Sequence, residues 1–124
     1  MITGVVKSDE ARIRLKARGG RGREQEVEAV IDTGYSGALT LPPAVITILG
    51  LPWRSVERAT LADGSMCFFQ VYVAKVVWDG KVCTILVDEA DADSLVGMRL
   101  LRGHELKMQV RARGKVTIKR PPSR

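Results

Sequence analysis

Apolar and polar residues alternate with a period of two along much of this 124-residue chain, which is the pattern of strands that bury one face. Glycine, aspartate and proline interrupt the alternation at short intervals and mark turns. On this basis the sequence predicts seven strands, over residues 11–17, 26–31, 55–61, 66–77, 81–87, 106–111 and 115–119. We therefore expect a mainly β protein.

Two short segments have helical features instead. Pro42-Pro43 can open a helix over 44–49, because proline suits the first helical position, and Gly50 stands where a helix ends. A second short helix is predicted over 98–102, ending near Gly103. The fold class is therefore a small closed or folded β-barrel with one or two short helices.

The chain length favours one domain, which we place at 1–119, followed by a flexible basic tail at 120–124. Asp-Gly pairs at 63–64 and 79–80 predict tight hairpin turns between strands. The segment 88–93 is acidic and is expected to be a loop.

The stretch VIDTGYSGALTLP, residues 30–42, runs an apolar strand directly into Asp32. A carboxylate at the end of a buried strand is costly to ionise. It is followed by a turn at Thr33-Gly34 and a return to apolar residues at Ala38. Such an aspartate either forms a turn or takes part in chemistry, and the local pattern leaves both open.

Composition excludes several kinds of site. The two cysteines, Cys67 and Cys83, match no zinc spacing; they could pair, but two buried free thiols are favoured. His104 is the single histidine, in a segment predicted to be helical, so no Ser–His, Cys–His or metal set is credible, and no cofactor is expected. No signal peptide or membrane-spanning run is visible, which favours a cytoplasmic protein that makes no membrane contact.

The net charge of +6 is concentrated at the two ends of the chain, since 7–23 and 107–124 hold fourteen of the twenty Lys and Arg. These residues alternate with apolar ones. Solvated faces of strands explain the pattern better than a nucleic-acid surface, because aromatic residues are not interleaved. A nucleic-acid partner is therefore disfavoured.

The order Asp32-Thr33-Gly34, then an Asp-Gly hairpin, then Leu95-Val96-Gly97 before a short helix resembles the retroviral-type aspartic proteases, the retropepsins, over almost the whole chain. The resemblance implies an acid-protease barrel with endopeptidase activity on a peptide or protein. It assigns catalysis to Asp32, the locking of two active-site loops to Thr33, and a tight turn to Gly34. The segment 95–97 would support the active-site loop.

The resemblance also implies a flap, a hairpin that closes over substrate. It assigns flap and substrate contacts to Thr60, Leu61, Ala62, Asp63, Gly64, Ser65, Tyr35 and Ser36. Tyr35 stands where the family usually has a small residue, so its phenol is expected to narrow the substrate groove or displace the turn.

Two carboxylates that share one proton can supply both the base and the acid that peptide hydrolysis needs. The chain has one Asp-Thr-Gly, so the second carboxylate must come from a second copy. The family's dimers interleave their terminal strands. The prediction is a homodimeric aspartic endopeptidase. The alternatives are a weak or inactive peptide-binding module of the same fold and a basic β-rich nucleic-acid binder.

Overall fold

The computed structural model describes residues 1–122 and shows a mainly β protein with two short helices, as the sequence predicts. The helices are α1, Pro43–Leu49, and α2, Met98–Leu101. In chain order the strands of the described residues are β1 Ile2–Lys7, β2 Glu10–Arg18, β3 Glu24–Ile31, β4 Leu39–Leu41, β5 Trp53–Thr60, β6 Met66–Trp78, β7 Lys81–Glu89, β8 Leu95–Val96, β9 Glu105–Met108 and β10 Lys115–Lys119.

The prediction of seven strands was too low, because residues 1–122 contain ten. It missed β1, β4 and β8. The last two have three and two residues, too few to show a period. β9 ends at Met108, short of the predicted 111, and His104 lies in the turn after α2, not in a helix. Of the predicted tail 120–124, residues 123 and 124 lie outside the described residues.

The strands form one sheet in the order β5-β6-β7-β4-β8-β3-β2-β1-β10-β9, and β2 also pairs with β6. The β2–β6 pairing closes six of the strands into a ring, in keeping with the predicted closed or folded sheet. One edge of β2 pairs with two different strands. Residues Glu10–Ile13 pair with β1, and residues Lys16–Arg18 pair with β6. β1 pairs with β10 in the same chain, Ile2 opposite Ile118.

Two pairs of strands in this ring, β3 with β8 and β4 with β7, are parallel, and they fix the position of the loop between β3 and β4. β3 lies parallel to β8, with Val30 opposite Leu95 and Ile31 opposite Val96. β4 lies parallel to β7, with Leu39 opposite Val87. Leu39 also pairs with Val96. The loop between β3 and β4 is therefore fixed at both ends by neighbours that are distant in sequence.

The core is aliphatic and lies inside the closed sheet. Its largest fully buried side chains are Ile13, Leu39, Leu41, Leu49, Ile118, Val76, Val87, Val96 and Val116. Helix α1 covers one part of the core with Ile46 and Leu49, and it ends at Gly50 in the left-handed conformation, φ 61°, as expected for a residue after a helix. Burial of each such side chain contributes about 1.5–3 kcal/mol to stability.

Cys67 and Cys83 are free thiols, and both are half-buried, less than predicted. Neither helix of the described residues has the length and hydropathy to span a membrane.

The three arginines of β2, Arg12, Arg14 and Arg18, lie close to acidic residues of β3. Arg14 Nη1 lies 3.5 Å from Glu26 Oε1, and Arg18 Nε lies 3.4 Å from Glu24 Oε1. The buried face of the same strand carries small and aliphatic residues such as Ile13. The arginines of β2 therefore belong to a strand face on which basic side chains are paired with acidic side chains of the neighbouring strand.

Candidate active site

Asp32 follows β3 directly, at the point where the strand leaves the sheet. Its backbone N–H donates to the carbonyl of Val96 at 2.9 Å, which continues the parallel β3–β8 pairing by one step. Its side chain is half-buried, while Thr33 and Gly34 are exposed. An apolar strand can thus run into this aspartate because solvent reaches the carboxylate.

The Asp32 carboxylate shapes the turn that carries it. Asp32 Oδ1 accepts the backbone N–H of Gly34 at 2.9 Å, and the Asp32 carbonyl accepts the N–H of Tyr35 at 3.1 Å. A Cβ at position 34 would lie 3.2 Å from Asp32 Oδ1, which is closer than an ordinary van der Waals contact. Glycine at this position therefore leaves room for the hydrogen-bonded turn. Asp32 is therefore a turn-former, and within residues 1–122 its Oδ2 has no hydrogen-bond donor.

The Tyr35 side chain packs against its own loop and against β7. Its side chain is half-buried, and its hydroxyl donates to Asp88 Oδ2 at 2.5 Å. The ring lies close over Gly37, where a Cβ would come within 2.5 Å of the Tyr35 Cζ atom. The absence of a side chain at Gly37 leaves room for the ring. Ser36, between the two, is exposed.

The segment 95–97 binds the loop from below through its backbone. The N–H of Gly97 donates to the Ala38 carbonyl at 3.0 Å, and the N–H of Met98 donates to the Tyr35 carbonyl at 2.8 Å. Val96 is fully buried beneath the loop. The structure thus brings the predicted supporting residues against the segment that holds Asp32.

Sequence reasoning missed two side chains that order this region. Thr40, a buried residue of β4, accepts the N–H of Leu95 on its Oγ1 at 2.8 Å. Asp88, assigned to an acidic loop, lies in β7 and binds Tyr35. The available signal was that Asp88, like Asp32, directly follows an apolar strand segment.

Burial is the largest cause of the pKa shifts of both Tyr35 and Asp88. Burial raises the pKa of the Asp88 carboxyl and the negative charge of Glu57 raises it further, although the Tyr35 hydrogen bond acts in the opposite direction. Burial also raises the pKa of the Tyr35 phenol, with the hydrogen bond to Asp88 as the next cause. Tyr35 therefore remains a hydrogen-bond donor throughout the usual pH range.

The predicted flap is the tip of the β5–β6 hairpin. Residues 60–65 are all exposed. The N–H of Leu61 donates to the Ser65 carbonyl at 2.7 Å, and Gly64 has a positive φ of 86°. Asp63 Oδ1 accepts the backbone N–H of Ser65 at 2.8 Å and the Ser65 hydroxyl at 2.5 Å. The hairpin thus projects from the sheet, and within residues 1–122 no hydrogen bond joins its tip to the Asp32 loop.

Across the described part of the chain, no three His, Cys, Asp or Glu side chains are grouped in a way that could hold a metal ion. The polar chemistry near the Asp32 loop is that of carboxylates and one phenol.

The sequence matches no protein-family model and no curated protein. The structure is similar to a crystal structure of a retropepsin-like aspartic protease from Rickettsia conorii, with a TM-score of 0.59 and 18% sequence identity. The similarity covers 95% of this chain and 89% of that one. Together with the position of the Asp32 turn at the end of β3, it shows that this chain has a retropepsin-like fold.

Proposed function

We propose that the protein is an aspartic endopeptidase that works as a homodimer, with one Asp32 carboxylate from each subunit in the catalytic site. The observation that carries the proposal is the Asp32 turn itself. It lies in a retropepsin-like fold, its Oδ1 is fixed by the Gly34 N–H at 2.9 Å, and its side chain is only half-buried. The motif and the fold support the same assignment.

The second carboxylate must come from another copy, because no other aspartate of the described residues has the same setting. Asp88 also follows an apolar strand, but it is bound to Tyr35. Asp91 and Asp93 lie exposed in the loop after β7. A two-fold dimer brings Asp32 beside its symmetry mate, and it presents the exposed Thr33 of each subunit to the other.

The proposed dimer differs from the expected exchange of terminal strands. β1 and β10 already pair with each other within one chain, from Ile2 opposite Ile118 to Val5 opposite Lys115. We therefore place the main dimer contacts at the Asp32–Gly34 loops, and we assign the exposed hairpin at 60–65 to closure over the substrate.

In the proposed reaction, one Asp32 carboxylate accepts a proton from a water molecule as the water oxygen attacks the scissile carbonyl carbon. The other carboxyl donates its proton to the leaving nitrogen as the carbon–nitrogen bond breaks. The proton taken from the water remains on the first carboxylate, so the pair again holds one proton. Extended substrate backbone can pair with the flap strands β5 and β6 by strand addition.

The test is proteolysis of an unfolded protein substrate, with products identified by mass spectrometry. Asp32→Asn should reduce turnover by about 100-fold or more, because a general base and acid contribute at least this much. Asp91→Asn, the same change at an exposed aspartate, should leave turnover unchanged. Equal cleavage by Asp32→Asn and the parent would remove the assignment. Peptide binding with no cleavage by the parent would favour the binding-module alternative.

A further inference from the structure

A cavity of about 500 Å³ lies on a part of the molecule that none of residues 32–36 lines. It is bounded by β7 and the segment around α2, together with parts of β5 and β6, Ala38 just before β4, and Arg120 just after β10. Its apolar lining includes Val73, Ile85, Leu86 and Leu100. The volume falls within the range of sites that enclose a small organic molecule.

The rim of this cavity is strongly cationic. It carries the side chains of Arg54, Lys81, Arg99, Arg102 and Arg120. Within residues 1–122, none of these five forms an ion pair. The single carboxylate of the lining, Asp79, is already paired at 2.5 Å with the N-terminal ammonium. The rim therefore keeps a positive potential that an anion would neutralise.

Two residues of the cavity lining each carry a buried ring nitrogen that has no hydrogen-bond partner among residues 1–122. These nitrogens are Trp78 Nε1 and His104 Nε2, the side chains being 4% and 6% exposed. His104 Nδ1 is bound to the Arg102 carbonyl at 3.1 Å, while its Nε2 lies 3.8 Å from Asp79 Oδ2, too far for a hydrogen bond. Buried polar groups are nearly always paired, so hydrogen bonding within this part of the lining is incomplete.

We propose that this cavity is a binding site for a small organic anion, a carboxylate or phosphate attached to a compact apolar body. The anionic head is balanced by the rim arginines, next to the lining side chains of Trp78 and His104. The apolar body contacts Val73, Ile85 and Leu100. An inorganic anion alone would leave this apolar lining uncovered. Neither the Asp32 turn at 32–36 nor the hairpin tip at 60–65 lines the site.

The first test is NMR of the indole N–H groups during titration with hexanoate. The protein has two tryptophans, and Trp53 Nε1 already donates to Gln70 Oε1 at 2.7 Å, which makes it an internal control. Hexanoate should shift the Trp78 indole signal and the ring signals of the single histidine, His104, to saturation. The Trp53 signal should stay in place. Acetate and 1-hexanol at the same concentration should give less than about one tenth of the shift.

The second test removes the rim charge. The double variant Arg99→Gln/Arg102→Gln changes two exposed side chains and should weaken hexanoate binding roughly tenfold. Lys107→Gln/Arg111→Gln removes equal charge from exposed residues outside the cavity lining and should bind like the parent. An unmoved Trp78 signal, equal loss of affinity in both variants, or acetate acting as well as hexanoate would each overturn the proposal.

Discussion

The Tyr35 hydroxyl donates a 2.5 Å hydrogen bond to Asp88 Oδ2 and so links the loop after β3 to strand β7. Its ring covers Gly37, and its backbone carbonyl accepts the N–H of Met98. Tyr35 is three residues from Asp32, whose carbonyl accepts the Tyr35 N–H. It is therefore a positioning residue for the turn that holds the proposed catalytic carboxylate.

Replacement of Tyr35 by Phe should destabilise the protein by about 1–3 kcal/mol, because it leaves the half-buried Asp88 carboxylate without its donor. Urea unfolding at neutral pH measures this loss. Tyr72→Phe is the matched control, since the Tyr72 residue is half-buried and its hydroxyl forms no hydrogen bond with residues 1–122. An equal effect of the two substitutions would contradict the positioning role.

Asp88→Asn tests the electrostatics of the same pair. The pKa of Asp88 is raised above 3.8 in the folded protein, chiefly by burial, so the folded state holds this proton more tightly than the unfolded state. The contribution of Asp88 to stability is therefore greatest below pH 3.8 and declines as the pH rises through the folded pKa. An asparagine cannot ionise, yet its oxygen can still accept from Tyr35.

The free energy of unfolding of Asp88→Asn, relative to the parent, should accordingly increase as the pH is raised from below 3.8 to neutrality. Urea titrations at a series of pH values give the comparison, with Asp91→Asn as the control for the loss of one exposed charge. Stability curves of the parent and Asp88→Asn that run parallel over this range would show that the carboxyl proton is not bound more tightly after folding.

Local signals made much of the fold predictable. Helix α1 followed from Pro43 at its start and Gly50 at its end, and the β5–β6 hairpin followed from Asp63-Gly64. Asp32 stood out because an apolar strand ran into it. Each of these features depends on residues adjacent in sequence, where backbone preferences of glycine, proline and aspartate decide the conformation.

The partners of the site were not predictable in the same way. Tyr35 meets Asp88 across 53 positions, and β8 has only two residues, because its pairing with β3 and β4 holds it in place. The burial of the Tyr35 phenol also depends on the space above Gly37. Such contacts depend on tertiary packing between distant segments. The spacing of hydrophobic residues within one segment carries no information about them.

Gly97→Ala should disturb the active-site loop. A Cβ at this buried position would meet the Gly37 carbonyl and would lie 2.6 Å from the Tyr35 carbonyl oxygen. We expect a loss of about 1–3 kcal/mol in stability from overpacking, with a reduced rate in the assay of the proposed peptidase activity. Gly20→Ala is the control, because its Cβ would lie 3.6 Å from the nearest atom. Equal losses in the free energy of unfolding of the two variants, measured with urea, would contradict the tight contact around Gly97.

The flap turn should depend on the ionised Asp63. The Ser65 hydroxyl and backbone N–H lower the pKa of this exposed carboxyl below 3.8. The two hydrogen bonds are therefore present above the ordinary pKa and are lost only as the pH falls through the lowered value. The amide signal of Ser65 should titrate in an NMR experiment with a midpoint below 3.8, and Asp63→Asn should abolish the titration. A midpoint at or above 3.8 would mean that the carboxylate does not hold the turn.

Subunit mixing tests whether two Asp32 residues form one site. Asp32→Asn chains should fold, because an asparagine oxygen can still accept the Gly34 N–H, and they should enter dimers with the parent. If both carboxylates are needed, an equal amount of the variant should reduce activity to about half after exchange, and a threefold excess to about one quarter. Asp91→Asn chains keep Asp32, so adding them to the parent in the same proportions should not lower the activity of the parent. Activity that stays proportional to the parent chain alone, whatever the amount of Asp32→Asn, would show that each subunit carries a complete site.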